Sequence, residues 1–155
     1  RSLETTTGGN WFTSVSKADL AQLRTARSRY NLTTSLGSTA RFTPLFTADG
    51  NYEVFVAWGD YANANNVLHR VAHADGTADV FLNQDSRFNG HVWHSLGTYR
   101  FVRGHDAARG AVTVDEGTVS GVPNGGAEGR VYADAVRFVY RPAGEPASVG
   151  TWELY

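Results

Sequence analysis

The chain has 155 residues, 41% of them hydrophobic and 19% charged, with a formal net charge of -1. That composition excludes a disordered tail, and the balanced charge makes nucleic acid an unexpected partner. The length suits one domain that buries roughly 70% of its unfolded surface, and the absence of cysteine removes disulfides, thiol catalysis and thiolate metal sites together.

Near the N-terminus, "SKADLAQLR" from Ser16 to Arg24 predicts one short helix: Ser16 can cap, Asp19 follows three residues on, and Leu20 and Leu23 lie one turn apart. From Thr39 onward strand periodicity takes over. In "NYEVFVAW" (Asn51 to Trp58), Tyr52, Val54, Val56 and Trp58 share one face and Glu53, Phe55 and Ala57 the other, which suits a central strand. "NVLHRVAH" (Asn66 to His73) leads through an Asp75-Gly76 turn into "TADVFLN", a hairpin. Further strands are expected at "HVWHSL", "TYRFVR", "AVTVD" and the long run from Arg130 to Tyr140.

With no βαβ rhythm, these elements predict an all-β fold: an antiparallel two-sheet β-sandwich of jelly-roll type, plus the one short N-terminal helix. The sandwich domain is expected over residues 1–141, and residues 142–155, which begin "PAGEPASVG", as a C-terminal linker or extension. No apolar run of about 18 residues is present, so no membrane insertion is expected. Beginning at Arg1 and lacking methionine, the chain reads as an excised or processed fragment.

Chemistry is sparse in the pattern. His69 and His73 on one strand face stand about 13 Å apart, too far to share an ion, and His91 and His94 fall on opposite faces. Asp49, Asp60, Asp75, Asp85, Asp115 and Glu116 sit in turn-like segments, where solvated carboxylates are expected and a structural calcium is the alternative. There is no G-x-S-x-G elbow, no carboxylate pair is singled out, and "GVPNGG" lacks the Lys-Ser/Thr of a phosphate loop. No catalytic residue and no cofactor is predicted.

Aromatics are more informative. Sugar rings present C–H faces that stack on an aromatic plane, while amides, Asp and Arg bond the hydroxyls. "WGDYANANN" and "QDSRFNG" carry that mixture, so Trp11, Trp58, Tyr61 and Phe88 are candidate stacking residues, and Asn63, Asn65, Asn83, Gln84, Asp85 and Arg87 candidate hydrogen-bonding ones. Core packing competes for the tryptophans, and is the favoured role for Trp93.

"YEVFVAW", "HADGT" followed by a strand and "NQ", then "LGTYRF" (Leu96 to Phe101) and "ADAVRF" (Ala133 to Phe138) resemble, in order, the golvesin C-terminal domain, also described as the carbohydrate-binding-like domain of xanthan lyases. The resemblance spans about Gly50 to Val139; "KADLAQLRTARSR" departs from the pattern. It implies a galactose-binding-like jelly roll, serving as a non-catalytic accessory module of a secreted or cell-surface bacterial protein, with a polysaccharide or glycan and the adjacent domains of its parent as partners, and monomeric. The rival is a structural or protein-interaction spacer packing on a neighbouring domain. Asp134, which interrupts an apolar strand, needs donors from a turn backbone or from His73, and both are read as structural.

Overall fold

The computed structural model describes residues 3–5, 11–15, 28–32, 38–115 and 129–143. Eleven strands and one helical turn run through them: β1 (Leu3–Thr5), β2 (Phe12–Ser14), β3 (Ser28–Leu32), β4 (Thr39–Phe42), β5 (Gly50–Ala57), β6 (Val67–His73), β7 (Gly76–Leu82), α1 (Ser86–Asn89), β8 (His94–Phe101), β9 (Ala111–Asp115), β10 (Arg130–Ala133) and β11 (Ala135–Arg141). The architecture is the all-β antiparallel sandwich expected from the sequence. One layer is a five-stranded sheet in the order β1-β4-β9-β6-β7; opposite it lie two three-stranded sheets, β10-β3-β2 and β11-β5-β8.

Side-chain alternation explains the layering. Tyr52, Val54 and Val56 of β5 face inward against Val71 of β6 and Val112 of β9 in one core cluster, with Leu96 and Phe101 of β8. A second cluster joins Ala40, Phe42, Val67 and Val114 of the large sheet to Val131 and Ala133 of β10. Phe46 seals the first cluster, stacking on Phe101 with ring centroids 4.5 Å apart and meeting Tyr52 and Phe138 edge-on.

Several expected boundaries move for identifiable reasons. "HVWHSL" and "TYRFVR" are one strand, β8, because a bulge carries the chain past the break: Val54 pairs with Gly97 but Phe55 with Ser95. Gly97 has φ +116, and a Cβ there would sit 2.9 Å from the Tyr99 hydroxyl. The long C-terminal run divides instead at the buried Asp134, with β10 pairing β3 and β11 pairing β5. His73 pairs with Gly76, so the hairpin loop is Ala74-Asp75, one residue earlier than expected. His73 stacks on Tyr99 at that hairpin end, whereas Asp134 precedes Ala135, the partner of Ala57, at the other.

The helix expected at Ser16 to Arg24 lies outside the described residues. Among the described residues the only helix is α1, in the stretch "QDSRFNG", where no helix is expected from the sequence. Four residues are too few to show a helical period, and the turn is made by its cap: Asp85 accepts from the Arg87 amide at 3.1 Å, and its own N–H donates to Asn83 Oδ1 at 2.8 Å. No described helix is long and apolar enough to cross a membrane.

Candidate functional site

Two loops meet at the end of the sandwich where β5 finishes and β6 begins. Gln84 N–H donates to Ala64 O (2.9 Å), Ser86 N–H to Ala62 O (2.8 Å) and His91 N–H to Trp58 O (2.9 Å), which fastens residues 58–66 to the α1 segment. Beneath them lies β10, the edge strand of its sheet. An unfilled edge would leave buried donors and acceptors. Gln84 fills it with its side chain: Nε2 donates to Tyr132 O (3.0 Å) and Oε1 accepts from Tyr132 N–H (2.8 Å). Asn63 does the same for Arg130, accepting its N–H at Oδ1 (2.6 Å) and donating its own N–H to the carbonyl (3.3 Å).

His69, fully buried, completes this clasp. Its Nδ1 faces the Val67 carbonyl at 3.1 Å, which can only accept, so Nδ1 carries the proton and Nε2 accepts from Gln84 Nε2 at 3.3 Å. Burial, reinforced by the nearby His94, pushes the His69 pKa down from 6.5 to about 4. The unfolded chain therefore protonates His69 near pH 6.5, whereas the folded one waits until about pH 4. Stability present above pH 6.5 is lost as the pH falls through this window, by about 2 kcal/mol at pH 5. Urea midpoints at pH 7, 6 and 5 read this slope, and His69→Leu flattens it.

Above the clasp the surface is aromatic. Phe12, Tyr30 and Tyr132 are in register across β2, β3 and β10. Their ring centroids are 5.4 Å apart for Phe12–Tyr30 and 5.6 Å for Tyr30–Tyr132. Exposure rises along the row, from buried Tyr132 to half-buried Tyr30 and exposed Phe12. The Arg130 guanidinium lies 5.9 Å over Tyr30, Arg29 donates to Thr13 Oγ1 at 2.8 Å, and the Tyr132 hydroxyl lies 3.3 Å from Ser14 Oγ. Burial raises the Tyr132 phenol pKa, with Tyr30 and Tyr61 close enough to add to the rise.

Tyr61, in the loop that follows β5, is 66% exposed. Its φ is +70, and the other non-glycine residues with positive φ among those described, Asn66 (+56) and His91 (+59), lie in the same two loops. Left-handed backbone is costly for bulky side chains and clusters where a surface needs a particular side-chain direction. His91 Nε2 adds a link to Asp60 Oδ1 at 2.9 Å.

The residues singled out from the sequence divide between surface and interior. Tyr61, Phe88 (76% exposed) and Arg87 are at the surface, and Asn63 and Asn65 are partly exposed beside them. Trp58 and Gln84 are enclosed, so as ligand contacts they are corrected: Trp58 stacks on His94 at 4.3 Å and Gln84 serves β10. Asp85 is also buried; it caps α1 and pairs with Arg87 at 2.5 Å, which holds its carboxyl below the usual carboxylate range. Asn83 is committed to that cap. Half-buried Trp11 packs on the second core cluster, while the next residue, Phe12, joins the aromatic row.

Phe12 and Tyr30 escaped the sequence reading because only cross-strand register unites them. Trp93, expected in the core, instead lies against Arg137, whose guanidinium sits 4.5 Å from Trp93 and 4.7 Å from Phe55. Of the turn acids considered for calcium, Asp75 pairs with Arg100 at 2.6 Å, and among the described residues no three His, Asp or Glu side chains converge as a metal site.

Comparison with known proteins agrees with this architecture. A xanthan lyase from Bacillus sp. (strain GL1) is 38% identical over 99 residues, 63% of this chain and 10% of that protein. The solved structure of Paenibacillus xanthan lyase superposes with a TM-score of 0.70 at 30% identity, over 90% of this chain and 12% of that one. The chain thus spans about a tenth of the length of these relatives. Residues 1–140 match the golvesin C-terminal domain, and the chain belongs to that family.

Proposed function

We propose that this domain is a non-catalytic glycan-binding module that holds an exported bacterial protein against a polysaccharide, as a monomer flanked by the other domains of its parent. The observation that carries the reading is the in-register row of Phe12, Tyr30 and Tyr132, whose ring centroids lie 5.4 and 5.6 Å apart, with exposed Tyr61 in the adjoining loop. Pyranose faces stack on Phe12, Tyr30 and Tyr61, while Arg130, Asn63 and Asn65 reach the hydroxyls, and Phe88 and Arg87 extend the surface along α1. The reading is supported by relatives named as xanthan lyases, enzymes of a polysaccharide. Shallow open sites of this kind bind with Kd of about 10 μM to 1 mM.

Affinity electrophoresis in polysaccharide gels tests it. Tyr61→Ala and Phe12→Ala are each expected to weaken retention about three- to tenfold, since an aromatic contact contributes roughly 0.5–1.5 kcal/mol, with the melting temperature nearly unchanged. Retention that ignores both substitutions sinks the reading. The second reading, a spacer docked on a neighbouring domain, is favoured by exposed Phe88 and Val92 on a chain that spans only a tenth of its relatives. It predicts that Phe88→Ala frees this domain from its neighbour in limited proteolysis of the parent protein while leaving gel retention intact.

A further inference from the structure

The opposite end of the sandwich holds a pocket of about 220 Å³ lined by Phe46, Val102, Arg103, Gly104, Asp106, Arg109 and Gly110. It lies in the connection from β8 to β9, the end at which Ala72 of β6 pairs with Ala111. Tyr132 of the aromatic row reaches His69 of β6 through Gln84, and Ala72 lies three residues further along that strand, roughly 10 Å.

Its walls are fixed by the backbone. Phe46 and Gly104 exchange two hydrogen bonds of 2.9 Å, and Gly110 lets the Phe46 ring come where a Cβ would stand 2.9 Å from Cε2. The Arg103 amide is held by Asp49 Oδ1 at 2.6 Å, while its guanidinium has no hydrogen-bond partner among the described residues. Arg109 uses one nitrogen, donating to Ala74 O at 3.3 Å. Asp106 turns one carboxylate oxygen into its own loop, accepting from Ala108 N–H at 2.9 Å. Among the lining residues two guanidinium groups stand against one carboxylate, with Asp49 behind the Arg103 amide and Asp75, paired with Arg100, within the field of Arg109.

We propose that this pocket binds one carboxylate-bearing sugar ring, a hexuronate. Arg103 and Arg109 offer planar donor forks that suit a carboxylate, and Asp106 can accept from ring hydroxyls. Carbon atoms of Phe46, Gly104 and Gly110 meet the C–H face. The volume is that of about seven liquid waters, room for one pyranose and too little for a longer chain to be enclosed. None of these residues belongs to the aromatic row, so the inference stands independently of glycan binding there.

Backbone amide NMR shifts of the 155-residue chain, titrated at pH 7 with sodium glucuronate, glucose and sodium sulfate, test the inference. The expected result is a saturable glucuronate response at Arg103, Gly104 and Gly110, absent with glucose and at least several-fold weaker with sulfate. Arg103→Gln, whose side chain leaves no broken hydrogen bond behind, should weaken glucuronate at least tenfold with an unchanged melting temperature. Equal responses to glucuronate and sulfate, or to glucuronate and glucose, would overturn the proposal, as would undiminished binding by the variant. Shifts confined to Phe12, Tyr30 and Tyr61 overturn the pocket while leaving the glycan reading intact. A pocket response in a chain that no polysaccharide gel retards does the reverse.

Discussion

Gln84→Ala is expected to lower the unfolding free energy by about 3–5 kcal/mol, although Gln84 belongs to no hydrophobic cluster. Its amide serves both backbone groups of Tyr132 and the Nε2 of His69, all in the buried layer under residues 58–66. Removing it strands three polar groups, each worth roughly 1–3 kcal/mol when buried and unsatisfied, and the sum is less than additive because the loop can partly relax. Gln84→Glu separates the donor from the acceptor role. A carboxylate still accepts from Tyr132 N–H but cannot donate to Tyr132 O or to His69. That variant should be almost as unstable as Ala at pH 7 and recover partly where the carboxyl protonates. Urea unfolding monitored by tryptophan fluorescence distinguishes the cases; a Gln84→Ala loss below 1 kcal/mol would show that the edge of β10 does not need the clasp.

Trp58→Ala should cost a similar amount, about 3–5 kcal/mol, by leaving a cavity against His94, Ala62 and Val56. For a chain of this size that corresponds to roughly 10–15 °C in Tm. Trp58→Phe should cost much less, because the buried Trp58 Nε1 has no hydrogen-bond partner to lose among the described residues. Binding supplies the contrast. In protein kept folded at low temperature, Trp58→Ala retains its polysaccharide mobility shift, whereas Tyr61→Ala, three residues away, weakens it about three- to tenfold and melts normally. The reverse pairing of effects would return Trp58 to the ligand surface.

The burial of Trp58 was already present in its alternation with Tyr52, Val54 and Val56, and the strand with its partner hairpin followed from the same period-two pattern. Family motifs secured the fold class without any long-range contact. What the sequence concealed depends on residues far apart in the chain. Gln84 reaches Tyr132 across 48 positions, and Tyr30 meets Tyr132 only through the register of β3 on β10. A polar residue between two strands looks equally suited to a ligand or to an edge strand's backbone, and nothing local decides which. The one-turn helix was hidden for a related reason: its determinant is the Asp85 cap, not a repeating apolar face.

The bend at Gly97 bears on what the shared motif "LGTYRF" can mean. Any side chain at that position would run into Tyr99, whose hydroxyl donates to Leu96 O at 2.6 Å, so the motif describes how a strand turns past its neighbour. Phe12, Tyr30 and Tyr61 lie outside it, as does the pocket of Arg103 and Arg109. On the proposed reading, recognition and architecture are written in separate parts of the chain, so one sugar can be exchanged for another without touching the bend at Gly97.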